Sequence, residues 1–256
     1  MEMETRINKF LAARGIASRR AIDELIIQKR ITVNGVTLDT PGVKVSDTDV
    51  ITIDGKHIAT TVPVLVTILL NKPDDCISTT RDTHGRKTVL TYIKITERIF
   101  PIGRLDKNTT GVLLLTNDGE LANILMHPRH EVEKVYRARL DTPLTEKDKK
   151  RFEAGIMLDD KKTTPCQTEY FHNDKKDVIV TLHEGRNRQI HRMFKALGYD
   201  VKKLDRISYA GLDAGSLKRG EWRHLTKKEV DHLRRVASVI PAVKHAPDSD
   251  PEARIQ

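Results

Sequence analysis

The feature that most constrains the fold is an apolar run in the middle of the chain, residues 112–116, which is closed by the turn residues 117–119. A short apolar run between turn signals predicts a buried strand. The loop before this run carries Arg104 and Asp106, so a carboxylate precedes a strand at the edge of a core. By residue type alone, Asp106 is a solvated loop acid or the cap of the next segment, since aspartate is common in both roles. The residues that surround Asp106 in the folded protein decide whether its carboxylate takes part in a reaction.

The composition limits the classes of protein to which this chain can belong. The chain has 256 residues, enough for one large domain or two smaller ones, and its 38% hydrophobic content is typical of a globular protein. A net charge of +9 favours a polyanionic partner. No apolar run is long enough for a membrane span, and the first residues lack the apolar segment of a signal peptide. The two cysteines, Cys76 and Cys166, form neither a metal-ligand spacing nor a disulfide framework, which predicts a reducing cytoplasm.

The first sixty residues predict a small module of two helices followed by short strands. Apolar residues at helical spacing predict a helix over 5–14, and Ser18 is a suitable N-cap for a second helix. The pair Asn34 and Gly35 predicts a tight turn between two strands. Strands are expected at 31–33, 36–38 and 49–53.

Positive charge in this module is concentrated on its helical half. Between residues 5 and 35, seven basic side chains stand against two acidic ones, whereas the strands beyond carry several aspartates. The asymmetry suits a surface that binds backbone phosphates, and an ordinary solvated helix face is the alternative. The seven basic residues are Arg6, Lys9, Arg14, Arg19, Arg20, Lys29 and Arg30.

Beyond a polar linker at 56–63, the chain predicts a large mixed sheet with few helices. The run 64–70 predicts a buried central strand that residues 71–73 end. Further strands are expected at 132–140, 164–171, 177–182 and 201–209. Helices are expected after the capping residues Asp118, Thr145 and Thr226, and before Gly198. The proline-rich segment 241–256 is expected to be a disordered tail.

Three segments resemble the motifs of the RNA pseudouridine synthases. GRLDKNTTGVLLLTNDG, residues 103–119, is similar to the active-site motif of the branch that modifies ribosomal RNA, the RsuA/RluB/RluE/RluF family. KVYRARL, residues 134–140, and EGRNRQIHRMFKALG, residues 184–198, resemble the second and third motifs of that family. The later segments GYDVKKLDR and GEWRHLT are closest to the large-subunit members, of the RluF and RluB type.

The resemblance implies roles for individual residues. Asp106 is then the nucleophile, and Arg104 is the side chain that enters the space left when a base is flipped out of a stem. Tyr136 is then the residue beside the nucleophile that assists proton transfer. By residue type, Tyr136 on a strand face is otherwise an ordinary core residue, and Arg104 otherwise forms a local salt bridge with Asp106.

The third motif implies a basic partner for Asp106, and here the chain departs from the family pattern. Alignment of the motif places that partner at His191, where most relatives have arginine or lysine. Because histidine titrates near neutrality, a pair with His191 is expected to be weaker and pH-dependent. Arg188 and Arg192 are the alternatives, and the sequence does not choose among the three.

The N-terminal module resembles an S4-type RNA-binding domain. RINKFLAARGIASRRAIDELI and ITVNG, which lie within residues 6–35, match its pattern. The resemblance implies that RNA is bound by basic and polar residues of this module and by others in the body of the chain. Besides the seven basic residues given above, the predicted RNA contacts are Ser18, Asn34, Arg186, Asn187, Lys203 and Arg206.

These observations predict an α+β protein with two domains and a tail. Residues 1–60 form the S4-type domain, and residues 61–240 form a catalytic domain built on a mixed, mainly antiparallel sheet flanked by helices, the pseudouridine synthase fold. The expected activity is isomerisation of a uridine in ribosomal RNA of the large subunit, by a monomer in the cytoplasm. No cofactor or metal is expected, because the sequence has no dinucleotide fingerprint, phosphate-binding loop or metal-ligand cluster.

Two alternatives remain open on the sequence. A non-catalytic RNA-binding or ribosome-assembly factor can keep the same scaffold, and His191 is the feature that favours it. A synthase that acts on transfer RNA or on a small-subunit stem-loop is the other. An RNA methyltransferase has no support, since no glycine-rich loop suited to its cofactor follows a strand.

Overall fold

The structure, a computed structural model, describes residues 4–59, 61, 63–80, 82 and 84–238. The predicted tail at 241–256 lies outside these residues. In the part of the chain that is described, no helix is long and apolar enough to cross a membrane.

The N-terminal segment begins with a short strand and two helices, β1 (Thr5–Arg6), α1 (Ile7–Ala13) and α2 (Arg19–Ile27). The hydroxyl of Ser18 accepts a hydrogen bond from the Ala21 N–H at 3.1 Å, which confirms the predicted N-cap of α2. Short strands follow, namely β2 (Ile31–Val33), β3 (Val36–Thr37), β4 (Lys44–Val45), β5 (Ile51–Ile53) and β6 (Lys56–His57).

Four of these strands form a sheet in the order β3, β2, β5, β6, and β1 pairs with β4. Asn34 and Gly35 have φ values of 51° and 81°, the left-handed conformations that a two-residue hairpin turn needs, so the predicted turn is confirmed. Two boundaries were predicted wrongly. The residues 5–6 pair as a strand instead of starting the first helix, and residues 56–57 extend the sheet into the predicted linker.

The body of the chain contains a larger set of strands and four helices within the described residues. The strands are β7 (Thr67–Lys72), β8 (Phe100–Pro101), β9 (Thr109–Thr116), β10 (Lys134–Leu140), β11 (Met157–Leu158), β12 (Lys161–Lys162), β13 (Gln167–Tyr170), β14 (Asp177–Leu182), β15 (Val201–Tyr209), β16 (Leu212–Asp213) and β17 (Trp222–His224). The helices are α3 (Gly119–Met126), α4 (Glu146–Glu153), α5 (Gln189–Ala196) and α6 (Lys227–Ser238). The capping residues Asp118, Thr145 and Thr226 each accept a hydrogen bond from a backbone N–H of their helix, as predicted.

The main sheet runs in the order β13, β14, β10, β15, β9, β7, β17, with β8 paired to β9 and β16 paired to β15. The pair β9 and β15 is parallel and the other pairs are antiparallel. Successive residues of β9 face opposite sides of the sheet: Val112 and Leu114 enter one core cluster, and Leu113 and Leu115 enter another. This confirms the predicted mixed, mainly antiparallel sheet with a buried strand at 112–116.

The central strand β7 lies further along the chain than predicted. It runs from Thr67 to Lys72, while Val64 and Leu65 before it are 77% and 56% exposed. The shift follows from pairing, because Thr67 lies opposite Thr116 and Lys72 lies opposite Gly111 on β9. The sequence predicts that Lys72 lies just after the strand. In the structure, Lys72 is the last residue of β7, and its side chain is fully buried.

Arg206, which was predicted from the sequence as an RNA contact, is buried in the structure. Alternation along β15 turns Leu204 and Arg206 inward, and Arg206 is 3% exposed. Its Nε donates a hydrogen bond to the carbonyl of Val112 at 2.8 Å, and its guanidinium lies over the Tyr209 ring at 4.7 Å. Lys203 on the same strand is exposed, as expected.

Gly111 is required where β9 runs beside β15. Its φ is 104°, and a Cβ added there would lie 2.2 Å from the carbonyl oxygen of Arg206. We expect Gly111→Ala to destabilise the protein by about 3 kcal/mol or more, because a strained φ and a backbone clash combine. Urea unfolding measures the loss. Gly119→Ala is the matched control, since its Cβ meets no atom within 4 Å; equal stability of the two variants would contradict the argument.

Candidate active site

Asp106 lies in the loop between β8 and β9, and the residue before it is held by a serine. The Oγ of Ser78 donates a hydrogen bond to the Leu105 carbonyl at 3.0 Å and accepts one from the Leu105 N–H at 3.1 Å. Ser78 and Leu105 are both buried. Since both backbone groups of Leu105 are satisfied by one side chain, the backbone entering Asp106 has a fixed direction.

The residues after Asp106 are held by the buried ammonium group of Lys72. Its Nζ donates hydrogen bonds to the carbonyls of Lys107 at 3.0 Å, Thr109 at 2.8 Å and Pro73 at 3.0 Å. An ammonium has three donors, so all three are used. Burial lowers the pKa of Lys72 from its ordinary value, and the negative charges near it, Asp106 among them, oppose that shift.

Asp106 and Tyr136 line one cavity of about 240 Å³. Tyr136 stands on β10 with its ring half-buried against two core clusters, while the Asp106 side chain is 35% exposed. Arg104 lines the same cavity from its exposed position two residues earlier. The structure therefore brings the three principal residues of the sequence hypothesis together.

The start of helix α5 forms the opposite wall of the cavity. Arg188 precedes the helix, and its Nη1 lies 3.9 Å from Oδ2 of Asp106. His191 also lines the cavity, whereas Arg192 turns away and pairs with Asp159 at 2.6 Å. Among the three basic residues proposed from the sequence, two therefore face the carboxylate and Arg192 does not.

The pKa of His191 lies below its ordinary value. Burial of the imidazole is the main cause, and the positive charge of Arg188 acts in the same direction. The carboxylate of Asp106 opposes the shift. At neutral pH, His191 is therefore a neutral hydrogen-bonding group.

Two further cations lie on the strands beneath Tyr136. Arg206 is paired with Tyr136 across β10 and β15, and Lys134 precedes Tyr136 on the same face. Burial, followed by the charge of Arg206, lowers the pKa of Lys134 to about 8. The Lys134 ammonium donates to the Val132 carbonyl at 2.6 Å. A positive field therefore underlies the cavity floor, which suits a polyanionic substrate.

The predicted RNA contacts of the N-terminal segment fall into two groups. The side chains of the first group are bonded to other residues of the same segment. Arg14 pairs with Asp47, and Arg30 makes two hydrogen bonds to Asp54 at 2.6 and 2.7 Å. Ser18 caps α2, and Asn34 bonds Asp49 and the Val50 N–H within its turn. The exposed group consists of Arg6, Lys9, Arg19, Arg20 and Lys29, of which Lys9 lies 3.2 Å from Glu120.

The predicted RNA contacts in the body of the chain also differ in their surroundings. Asn187 is exposed at the mouth of the cavity. Arg186 donates to the carbonyls of Lys161 and Lys162 at 2.8 and 2.6 Å, so it ties the cavity wall to the hairpin β11–β12. Arg206 is buried, as described above.

Sequence reasoning missed Ser78 and the full role of Lys72. A single serine in a polar loop carries no local signal, because its partner Leu105 is 27 residues away. For the Lys-Pro pair at 72–73, the sequence predicts only that it helps to end a strand. One sequence signal could have predicted the role of Lys72. A lysine directly beside a continuous apolar run is expected to be buried, and a buried ammonium needs several hydrogen-bond acceptors.

Comparison with known proteins identifies the class. The family model for RNA pseudouridylate synthases matches residues 66–196, and the model for the S4 domain matches residues 5–51. The chain belongs to the RNA pseudouridine synthase family, whose members are isomerases, and it carries an N-terminal RNA-binding S4 domain.

Individual relatives agree with this assignment. The ribosomal large subunit pseudouridine synthase B of Bacillus subtilis is 44% identical over 237 residues, which cover 91% of this chain and 96% of that protein. The dual-specificity RNA pseudouridine synthase RluF of Escherichia coli is 36% identical over 237 residues, 91% of this chain and 79% of that protein. A crystal structure of a pseudouridylate synthase superposes with a TM-score of 0.66 at 30% identity, over 89% of this chain and 99% of that one. The predicted family and fold are confirmed.

The anchoring role of Lys72 can be tested by Lys72→Met. We expect this variant to lose about 3 kcal/mol or more of stability, because three buried carbonyls lose their donor. Thermal and urea unfolding measure the change. Lys107→Met is the matched control on the loop of Asp106, since its exposed ammonium forms a surface ion pair with the exposed Asp75. A Lys72→Met protein as stable as the control would show that the carbonyls find other partners.

Proposed function

We propose that this enzyme converts a specific uridine of large-subunit ribosomal RNA to pseudouridine, with Asp106 as the nucleophile. One observation carries the proposal: the loop of Asp106, the ring of Tyr136 and the start of α5 meet in one cavity. The 44% identity to a large-subunit synthase of Bacillus subtilis over nearly the whole of both chains supports the choice of RNA. Asp106, Tyr136 and Arg104 occupy the positions that the motif resemblance gave to the nucleophile, the proton-transfer residue and the flipping residue.

The reaction requires no external reagent. The bond from N1 of uracil to C1′ of the ribose breaks, the base turns, and a bond from C5 to C1′ forms. C5 loses one proton and N1 gains one, so atoms and charge balance. An ionised carboxylate at Asp106 supplies the nucleophile, and a group beside it must accept the C5 proton.

Tyr136 is the group beside the carboxylate that is placed for this proton transfer. Its ring packs against two core clusters, and the residue lines the cavity that Asp106 also lines. The flipped uracil lies between Tyr136 and Asp106. Leu204 on β15 lines the same cavity and excludes water beneath the base.

Arg104 takes the place of the flipped base in the stem. A base within a helix cannot reach the cavity, and extruding it costs a few kcal/mol. Arg104 is exposed at the cavity edge and forms no ion pair with Asp106 among the described residues, so the alternative of a local salt bridge has no support. Its guanidinium is available to bond the groups left behind by the base.

The N-terminal residues hold the RNA by its backbone. We assign residues 1–60 to the RNA-binding domain and residues 61–240 to the catalytic domain, acting together as a monomer in the cytoplasm. Arg19 and Arg20, which are exposed at the start of α2 and form no ion pair within the described part of the chain, are the leading phosphate contacts. A non-catalytic assembly factor is disfavoured, because Asp106 faces a cation and Tyr136 within a formed cavity.

The test of the proposed function is pseudouridine mapping of ribosomal RNA from cells with and without the gene. We expect one or a few large-subunit uridines to lose the modification on deletion and to regain it with the wild-type gene. Loss at small-subunit or transfer RNA sites would change the substrate, and an unchanged map of all three RNAs would favour the assembly factor.

The nucleophile assignment predicts that Asp106→Asn abolishes isomerisation and leaves RNA affinity within about three-fold, since one neutral substitution removes the nucleophile but few binding contacts. The measurements are release of tritium from RNA labelled at C5 of uracil, since C5 loses its proton in the reaction, and a filter-binding Kd. Residual turnover by this variant would remove Asp106 from the role.

The phosphate contacts predict a weaker salt dependence for Arg19→Gln/Arg20→Gln. Two lost contacts reduce the slope of log Kobs against log salt by about 1.5 to 2. Arg30→Gln is the control, because Arg30 is already bonded to Asp54 and is expected to leave the slope unchanged. Equal slopes in the wild type and the double variant would place the phosphate contacts elsewhere.

A further inference from the structure

Several basic side chains surround Asp106, and the proposed reaction needs one of them to balance its charge. We propose that Arg188, at the start of α5, is the cation that orients the Asp106 carboxylate and balances its charge, and that His191 stays neutral in the cavity wall. The inference rests on the proposed function, because it makes Arg188 a positioning residue for isomerisation by Asp106. The motif resemblance implied a positive charge at position 191. The proposed charge is at position 188, about one helical turn earlier.

The geometry favours Arg188. Its Nη1 lies 3.9 Å from Oδ2 of Asp106, and the two side chains are 54% and 35% exposed. Arg188 has a φ of 48°, the left-handed conformation that non-glycine residues rarely adopt. Such strain is retained mainly where it places a functional side chain.

The other arginines of the third motif are already engaged. Arg192 pairs with Asp159 at 2.6 Å and is not among the residues that line the cavity. Arg186 bonds the carbonyls of Lys161 and Lys162 and so serves the hairpin. Neither can reach Asp106 without breaking these contacts.

Two other cations close to Asp106, Lys72 and Arg104, are also unsuited to balance the charge of its carboxylate. Lys72 is near enough to interact with Asp106, but its three donors are used by backbone carbonyls. Arg104 is exposed and is needed in the RNA stem under the proposed function. Arg188 is left as the cation that can contact the carboxylate directly.

His191 is poorly placed to carry a charge. Its Nδ1 is buried and has no hydrogen-bond partner among the described residues, whereas an imidazolium needs partners for both N–H groups. The neutral tautomer with its proton on Nε2 avoids that cost. The pKa of His191, lowered first by burial and then by Arg188, agrees. The charged and titratable groups that face the cavity with His191 are Arg104, Asp106, Tyr136, Glu184, Arg186 and Arg188.

The assignment fixes the pH dependence of the reaction. Arginine stays protonated throughout the accessible range, so the charge beside Asp106 does not titrate. A histidine partner would instead lose its charge as pH rises through its pKa, and activity would fall. Because burial lowers the pKa of His191 below its ordinary value of 6.5, a histidine partner would lose its charge on the acid side of neutrality. With Arg188 as the partner, the rate of catalysis should stay flat between about pH 5.5 and 7.

The experiment compares single variants in one assay of uridine isomerisation on the RNA identified by mapping. We expect Arg188→Ala to lower kcat by about 100-fold or more, with KM changed less than about three-fold, because the interaction acts through the nucleophile. Arg188→Lys keeps the charge and should regain most of that loss. Arg192→Ala is the matched control, one helical turn further on, and should stay within about two-fold of wild type.

Position 191 supplies the second arm of the test. His191→Asn should leave kcat within a few-fold and keep the pH profile flat. Since position 191 faces the same cavity, Arg188→Ala/His191→Arg should regain turnover that Arg188→Ala lost. Thermal unfolding of each variant separates a loss of fold from a loss of rate.

The possible outcomes separate this inference from the proposed function. If wild-type protein isomerises the RNA and Arg188→Ala does so equally well, the role of Arg188 is wrong while the function stands. If His191→Asn removes activity, or abolishes a pH limb seen in wild type, the charge belongs to His191. If the wild-type protein isomerises uridine in none of the RNAs, the proposed function is wrong, and so is the positioning role of Arg188.

Discussion

The ammonium group of Lys72 lies at the centre of three backbone carbonyls, and the position of Asp106 depends on it. A fully buried cation carries a desolvation cost, which its hydrogen bonds and nearby carboxylates offset. Asp106 is one of those carboxylates. The relation is therefore mutual: Lys72 shapes the loop that presents Asp106, and the negative charge of Asp106 stabilises the cation beneath it. Ser78 completes the arrangement from the other side of the loop.

The sheet places the remaining residues relative to this loop. The parallel pairing of β9 and β15 puts Gly111 against the backbone of Arg206, and the absence of a Cβ permits that approach. Beside β15, the strand β10 presents Tyr136 toward the cavity, with an irregularity in pairing at Val135 and Tyr136. Such irregularities occur near active sites, where they redirect a side chain. Helix α5 then covers the cavity with Arg188 and His191.

Local patterns in the sequence predicted local features well. The helix caps Ser18 and Asp118 depend on hydrogen bonds between residues two or three apart, and alternation along 134–140 correctly turned Tyr136 inward. Contacts between distant segments were the part that could not be predicted. Arg206 is buried because its Nε reaches the Val112 carbonyl, 94 residues away, and the choice of Arg188 over Arg192 depends on Asp159. Charge and residue type do not encode such partners.

Tyr136 packs against two separate core clusters, one shared with β14 and α5 and the other with β7 and β9. These clusters are built from distant parts of the chain, so the cavity exists only after both have formed and met. A nascent chain that has reached the end of β9 contains the N-terminal S4 domain and Asp106, but neither Tyr136 nor Arg188. The walls of the cavity therefore come from segments made at different times, and the cavity is complete only when β10, α5 and β15 have joined the loop of Asp106.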